Sequence, residues 1–103
     1  MDETPYAATF DAERSLLTVT GSVDELAGPT FRSDLEKYSD RFAQDLTVDL
    51  SLVEFFPSLA VGVIAVAGTS ARRAGHELTV VAAPGTLVSR VLTICGMPHR
   101  ERA

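Results

Sequence analysis

The stretch that decides the fold is VEFFPSLAVGVIAVAG, residues 53–68. After Val53 and Glu54 it has two aromatic residues, a proline and a serine, and it continues as an almost unbroken apolar run without a charged residue. The run is far shorter than the roughly 20 residues that a membrane-spanning helix needs. It therefore excludes a membrane span and predicts either a core helix or a helix whose start is kept for a partner.

Strands and helices alternate on both sides of this stretch. The residue patterns predict strands at 6–10, 16–20, 45–51 and 77–83, and helices at 29–38, Ser58–Arg73 and within 84–96. Helices that separate strands in this way act as crossover connections in a partly parallel sheet. The order β-β-α-β-α-β-α therefore predicts an α/β fold with a mixed, mostly parallel four-stranded sheet and three helices.

Length and composition predict one soluble globular domain. The 103 residues allow a single domain, here 1–103 with a core at about 5–97 and a frayed polar tail at 98–103. The net charge of −5 argues against binding to nucleic acid or to an anionic membrane surface. The start has no signal-peptide pattern and Cys95 is the only cysteine, which together predict a cytoplasmic protein. Cys95 is expected to lie on the apolar face of the last helix.

The sequence carries no recognisable enzyme motif. Its glycines do not form a phosphate-binding loop, and no serine has the spacing of a nucleophile elbow. Cys95, His76 and His99 do not have the spacing of a metal-binding set. We therefore predict a protein that is not an enzyme and that has no cofactor and no metal site.

Ser58, at the start of the helix in the opening stretch, has two possible roles. Its hydroxyl can cap the exposed backbone N–H groups of the helix, which stabilises such helices by about 1 kcal/mol. Alternatively, Ser58 can carry a phosphate, because the N-terminal end of a helix stabilises negative charge. On residue chemistry alone the cap is the simpler explanation.

The order of the motifs resembles a STAS domain of the anti-sigma-factor antagonist type. That family typically has a Gly-x-Leu-Asp turn, a Leu-Asp-Leu-Ser strand, a Phe-x-Asp-Ser-Ser-Gly-Leu helix start and a late Gly-Leu. The residues at those places are Gly21-Ser22-Val23-Asp24, Val48-Asp49-Leu50-Ser51, Phe55, Ser58, Gly62 and Gly96-Met97. The resemblance covers roughly residues 14–97 and implies the STAS fold.

The resemblance also implies a function. In such proteins the first serine after the aspartate is phosphorylated by an anti-sigma factor that is a serine kinase of the ATPase fold. The unphosphorylated form binds this factor and releases a sigma factor, and a phosphatase resets it. By position the phosphoacceptor is Ser58. The implied partner-binding residues are Asp24, Phe56, Pro57, Ser58, Leu59, Ala60 and Val61.

Three residues depart from the family pattern at the helix start. Pro57 replaces the aspartate, Leu59 the second serine and Ala60 the glycine. Loss of the carboxylate removes a group that could orient the hydroxyl, and Pro57 removes a backbone donor. Two outcomes stay open: Ser58 is phosphorylated, or the protein binds its partner with little or no phosphorylation.

Two further expectations follow from the resemblance. The final strand and helix of the family are missing from the sequence, which would leave an open sheet edge or an apolar patch that a homodimer could cover. The alternative function is an accessory subunit of a transporter ATPase, as in STAS domains of lipid-trafficking systems. Such a subunit would dock through the same helix without phosphorylation.

Overall fold

A four-stranded sheet and three helices form the computed structural model, which describes residues 4–103. In chain order the elements are β1 (Ala7–Asp11), β2 (Leu16–Ser22), α1 (Gly28–Tyr38), β3 (Leu46–Phe55), α2 (Ser58–Arg73), β4 (Leu78–Val81) and α3 (Leu87–Ile94). The predicted fold class and element order are confirmed. β3 runs further than predicted, to Phe55, because its last residues pair with the end of β2.

The sheet has the strand order β1-β2-β3-β4. β1 pairs with β2 in the antiparallel sense, whereas β2, β3 and β4 are mutually parallel. The parallel strands therefore all end at one edge of the sheet, here called the C-terminal edge. At this edge Ser22 pairs with Phe55, and the backbone N–H of Val23 donates to the Phe55 carbonyl oxygen at 2.9 Å. The ends of β2 and β3 are thus fixed side by side.

The core lies on one face of the sheet. Alternate residues of β2 and β3, including Leu17, Val19, Val48 and Leu50, are fully buried, whereas their neighbours along each strand are half-buried. All three helices contribute to the same core. Their buried contacts come from Phe31, Leu35, Ala60, Val61, Val63, Ile64, Ala67, Val88 and Leu92. Helices of this amphipathic kind are stabilised mainly by such packing.

Helix α2 has the predicted boundaries, Ser58–Arg73. Its middle is not buried throughout, because Val66 is 67% exposed while Val63, Ile64 and Ala67 pack into the core. In the part of the chain that the structure describes, no helix is both long enough and apolar enough to cross a membrane.

The segment before β1 is tied to the sheet and to α1. The backbone N–H of Ser22 donates to the Thr4 carbonyl oxygen at 3.0 Å. The Tyr6 hydroxyl donates to a carboxylate oxygen of Asp34 at 2.6 Å, and the Tyr6 ring meets the Phe31 ring edge-on. Burial, and then the hydrogen bond to Asp34, raise the pKa of Tyr6. Tyr6 therefore stays protonated and keeps donating to Asp34 at any ordinary pH.

Two expectations about the end of the chain are corrected. Cys95 is exposed rather than on the apolar face, because α3 ends at Ile94 and Cys95 is its C-cap residue. The segment 98–103 is not simply frayed, since Arg100 pairs with the outer edge of β4 through two backbone hydrogen bonds of 2.8 Å. The sequence pattern of this short polar segment gives no sign of that pairing.

A left-handed turn follows α1. Asp40, Arg41 and Phe42 have φ values of 52°, 57° and 65°, a conformation that residues other than glycine seldom adopt in succession. The buried Ser39 holds this turn, because its hydroxyl donates to the Leu35 carbonyl oxygen at 2.6 Å and accepts from the Phe42 N–H at 3.0 Å. Phe42 packs against the core from this turn, beyond the end of α1.

Replacing Ser39 by alanine is expected to lower the free energy of unfolding by about 1–3 kcal/mol, because the Phe42 N–H loses its partner in a strained turn. The measurement is urea-induced unfolding followed by circular dichroism. Ser33→Ala is the matched control, since Ser33 is an exposed residue of the same helix and its loss should change stability by no more than about 0.5 kcal/mol. Equal losses in the two variants would contradict this role for Ser39.

Candidate functional site

The candidate site lies at the C-terminal edge of the sheet, where two connections meet. The first joins β2 to α1 and contains Asp24, and the second joins β3 to α2 and contains Pro57. Their starts are held together by the hydrogen bond from Val23 to Phe55. The helix starts also touch, since a side-chain atom added to Gly28 would lie 3.5 Å from Leu59. Asp24 and Ser58, although far apart in sequence, line the same cleft.

Pro57, not Ser58, is the N-cap residue of α2. Pro57 has the extended backbone of a cap, with φ −75° and ψ 171°, and its carbonyl oxygen accepts from the Ala60 N–H at 2.8 Å. The capping interpretation of Ser58 is therefore wrong, because the helix begins one residue earlier than a serine cap requires. Ser58 is the first helical residue and its side chain is exposed.

The predicted partner-binding residues divide into a surface group and a core group. Ser58 and Leu59 are exposed, the latter by 47%, and Pro57 is partly exposed. Three others are core residues, with exposures of 3%, 0% and 9%: Phe56, Ala60 and Val61. Their side chains cannot form a docking surface, since they pack against the sheet and α1. That part of the expectation is corrected, whereas partner binding itself stays a prediction.

Asp24 has a structural role of its own. One of its carboxylate oxygens accepts from the Ala27 N–H at 2.9 Å, and its carbonyl oxygen accepts from the Gly28 N–H at 2.9 Å. These bonds fix the turn that precedes α1, in the manner usual for aspartate in turns. This turn places Glu25 and Leu26 at the surface.

Leu26 and Phe55 belong to the site although the sequence reasoning did not select them. Leu26 is 89% exposed and Phe55 is 43% exposed, and both line the cleft with Leu59. The cleft has a volume of about 510 Å³ and is bordered by Asp24, Glu25, Pro57 and Ser58. The signal for Leu26 was present, because a leucine directly after Asp-Glu in a turn has no helical or strand pattern to bury it. The sequence pattern did not show that Phe55 is the exposed and Phe56 the buried member of this pair.

The side chains of the candidate site are suited to the recognition of another molecule. An exposed hydroxyl stands at a helix start, where the first backbone N–H groups have no partner within the helix and favour an anion. Within residues 4–103 there is no group of three or more His, Cys, Asp or Glu side chains that could hold a metal ion. The arrangement suits a docking surface with a modifiable hydroxyl.

A larger cleft of about 750 Å³ lies between α2 and β4, at the other edge of the sheet. At its mouth His76 Nδ1 lies 3.2 Å from an Asp45 carboxylate oxygen, which also accepts from the Glu77 N–H at 2.9 Å. The Glu77 hydrogen bond, and then His76, lower the pKa of Asp45. Ser58 and Asp24 do not line this cleft, so it is separate from the candidate site.

Comparisons with known proteins agree with this architecture. Residues 6–99 match the family model described as Mlab, STAS domain. A solved structure of the anti-sigma factor antagonist SpoIIAA in its unphosphorylated form matches 90% of this chain and 82% of its own, with a TM-score of 0.69. The sequence identity in that match is 14%, so it shows that the two proteins share a fold. The predicted STAS fold is confirmed, and the chain belongs to the STAS domain family.

Proposed function

We propose that the protein is an anti-sigma-factor antagonist that binds an anti-sigma factor through the C-terminal edge of its sheet. The observation that carries the proposal is the exposed Ser58 at the start of α2, next to the exposed Leu26 and Leu59. Large exposed leucines of this kind are typical of protein interaction sites. The similarity of fold to SpoIIAA, an anti-sigma factor antagonist, supports the proposal.

A phosphate on Ser58 would act as the switch. It would add nearly two negative charges and bulky acceptor oxygens to a residue that lines the cleft with Leu59. The bulk and hydration of the phosphate would keep an apolar side chain of the partner from filling the cleft beside Leu59, whatever charges the partner places around it. The unphosphorylated form is therefore the binding form in this proposal, and binding by it releases the sigma factor from the anti-sigma factor.

Replacing Ser58 by alanine is expected to abolish phosphate incorporation in a reaction with the anti-sigma kinase and ATP. The free energy of unfolding should change by no more than about 0.5 kcal/mol, because Ser58 is exposed and is not the cap of α2. The measurement is mass spectrometry of the intact and digested protein after incubation. A fluorescence anisotropy assay with labelled sigma factor reports the release in parallel.

Ser33→Ala serves as the control for this experiment, since Ser33 is another exposed serine in a helix. It should be phosphorylated at Ser58 to the wild-type extent. Phosphate on a residue other than Ser58 would overturn the switch. Failure of every anti-sigma factor of the ATPase fold from the source organism to bind the unphosphorylated protein would overturn the proposed function.

A second candidate function is an accessory subunit of a transporter ATPase that needs no phosphorylation. Pro57 favours it, because the residue before Ser58 is a cap without a carboxylate that could orient the hydroxyl. Pro57→Asp separates the two: if the missing carboxylate limits phosphorylation, this variant should be phosphorylated faster than the wild type. Stable co-purification with a nucleotide-binding transporter subunit, with no phosphorylation of either protein, would favour the second candidate.

A further inference from the structure

Three exposed apolar side chains from separate segments converge at the C-terminal edge. They are Leu26, Phe55 and Leu59, here called the apolar cluster, with exposures of 89%, 43% and 47%. Each is fixed by backbone structure: Phe55 pairs with the end of β2, Leu59 lies in the first turn of α2, and Leu26 lies in the Asp24 turn. The cluster is therefore a shaped surface with a cleft between its members.

Both charged residues that line the cleft beside the apolar cluster are acidic. Asp24 and Glu25 line the cleft, and Glu54 directly precedes Phe55. The two connections that form the cleft, with the helix turns that follow them, contain no lysine, arginine or histidine: 22–31 and 53–61. The nearest cation along α1, Arg32, lies about one turn inside that helix, and Arg100 lies beside the end of β4.

The opposite edge of the sheet differs, because it carries both signs of charge. Its connections and the adjoining ends of β1 and α2 contain cations and anions together: Arg14, Arg41, Arg72, Arg73 and His76 with Asp11, Glu13, Asp40, Asp45 and Glu77. The absence of cations is thus a property of the cleft lining and does not follow simply from the net charge of −5.

We infer that the apolar cluster binds a protein segment that offers an apolar side chain flanked by lysine or arginine. A second copy of this chain is disfavoured, because it would place Asp24, Glu25 and Glu54 against the same carboxylates. Nucleic acid and anionic membranes are disfavoured for the same reason. A basic amphipathic segment satisfies both features at once, since its apolar side chain fills the cleft and its cations meet the acidic rim. The inference rests on the proposed function for the location of the docking surface and adds the chemistry of the partner.

The first test needs no natural partner. Two amphipathic peptides of about 14 residues, roughly four helical turns, carry leucine on one face and either lysine or glutamate on the other. Each is titrated into the ¹⁵N-labelled protein, and amide shifts are followed by NMR. The lysine peptide should shift the amides of Leu26, Phe55 and Leu59, and the glutamate peptide should not. Shifts spread evenly over both edges of the sheet, equal shifts with both peptides, or no shifts would each overturn the inference.

Matched charge reversals then test whether the acidic residues beside the cleft contribute to binding. Glu25→Lys should weaken binding of the lysine peptide about three- to tenfold, as expected for losing and reversing an exposed charge pair. Glu13→Lys makes the same change in net charge at the opposite edge and should have little effect. Raising the salt from about 0.01 M to 1 M shortens the Debye length from about 30 Å to 3 Å and should remove the difference between the two variants. Equal weakening in both variants would overturn the inference, because only the net charge of the protein would then matter.

The same variants distinguish this inference from the proposed function. If the lysine peptide binds at the apolar cluster but no anti-sigma factor does, the partner chemistry stands and the proposed function fails. If an anti-sigma factor binds with the same affinity for Glu25→Lys and Glu13→Lys at low salt, the proposed function stands and the inference fails.

Discussion

Replacing Phe31 by alanine is expected to lower the free energy of unfolding by about 3–5 kcal/mol. Phe31 is fully buried in α1, and its ring meets Tyr6 and Phe56 edge-on at centroid distances of 6.2 and 6.1 Å. Its loss would leave a cavity at the junction of the first segment, α1 and the start of α2. A domain of this size is stable by only about 5–15 kcal/mol, so the change is a large part of the total.

The matched control for Phe31 is Phe55→Ala, the same change at a residue that is 43% exposed. It should cost about 1–2 kcal/mol, clearly less than Phe31→Ala, because only part of the Phe55 side chain is buried. Urea unfolding measures both, and Phe31→Leu, with a loss of about 1–2 kcal/mol, covers the case in which Phe31→Ala fails to fold. Comparable losses for Phe31→Ala and Phe55→Ala would contradict the assignment of Phe31 to the core.

The changes at Phe55 and Phe31 should differ in their effect on partner binding. Phe55 belongs to the apolar cluster, so Phe55→Ala should weaken binding while leaving the fold intact. A conservative change at Phe31 should alter stability while leaving the exposed side chains of the cleft in place. The two effects can be separated because Phe55 ends β3 at the surface. The next residue, Phe56, turns into the core, where its ring meets the ring of Phe31.

The boundaries of α2 could be predicted from sequence because local signals mark both ends. Pro57 is favourable at a helix start, and Gly75 adopts the left-handed conformation that ends a helix, with φ 83°. It could not be predicted which side of the first turn of α2 is exposed to solvent. The helix has no charged residue before Arg72, so nothing in its pattern shows that Leu59 faces solvent while Val61 faces the sheet.

Two other features depend on contacts between distant parts of the chain. The left-handed turn Asp40–Phe42 contains no glycine, and it is held by the buried Ser39 and by the packing of Phe42. Arg100 pairs with β4 although no sequence pattern of the segment around Arg100 predicts a strand. In both cases tertiary contacts override local preference, which a single sequence does not reveal.

Replacing Gly21 by alanine is expected to lower the free energy of unfolding by about 2–4 kcal/mol. Gly21 has φ 80°, a conformation that costs an alanine about 1–2 kcal/mol. A methyl group at this position would also overlap the Pro5 carbonyl and lie 2.8 Å from the Thr4 carbonyl oxygen. The segment before β1 would therefore move away and lose the hydrogen bond from Ser22 to Thr4, which adds about 1 kcal/mol.

Gly85→Ala isolates the backbone part of this effect, so that the steric part can be obtained by difference. Gly85 has the same φ of 80°, but a methyl group there would meet no atom within 4 Å. It should therefore show only the backbone cost of about 1–2 kcal/mol. Urea unfolding gives the difference between the two variants, and amide hydrogen exchange of Ser22 reports the lost hydrogen bond directly.

Because Gly21 leads into the turn that carries Asp24 and Leu26, Gly21→Ala should also weaken partner binding, whereas Gly85→Ala should weaken it less. Equal losses of stability in the two variants, with Ser22 still protected, would show that the first segment does not hold the end of β2 in place.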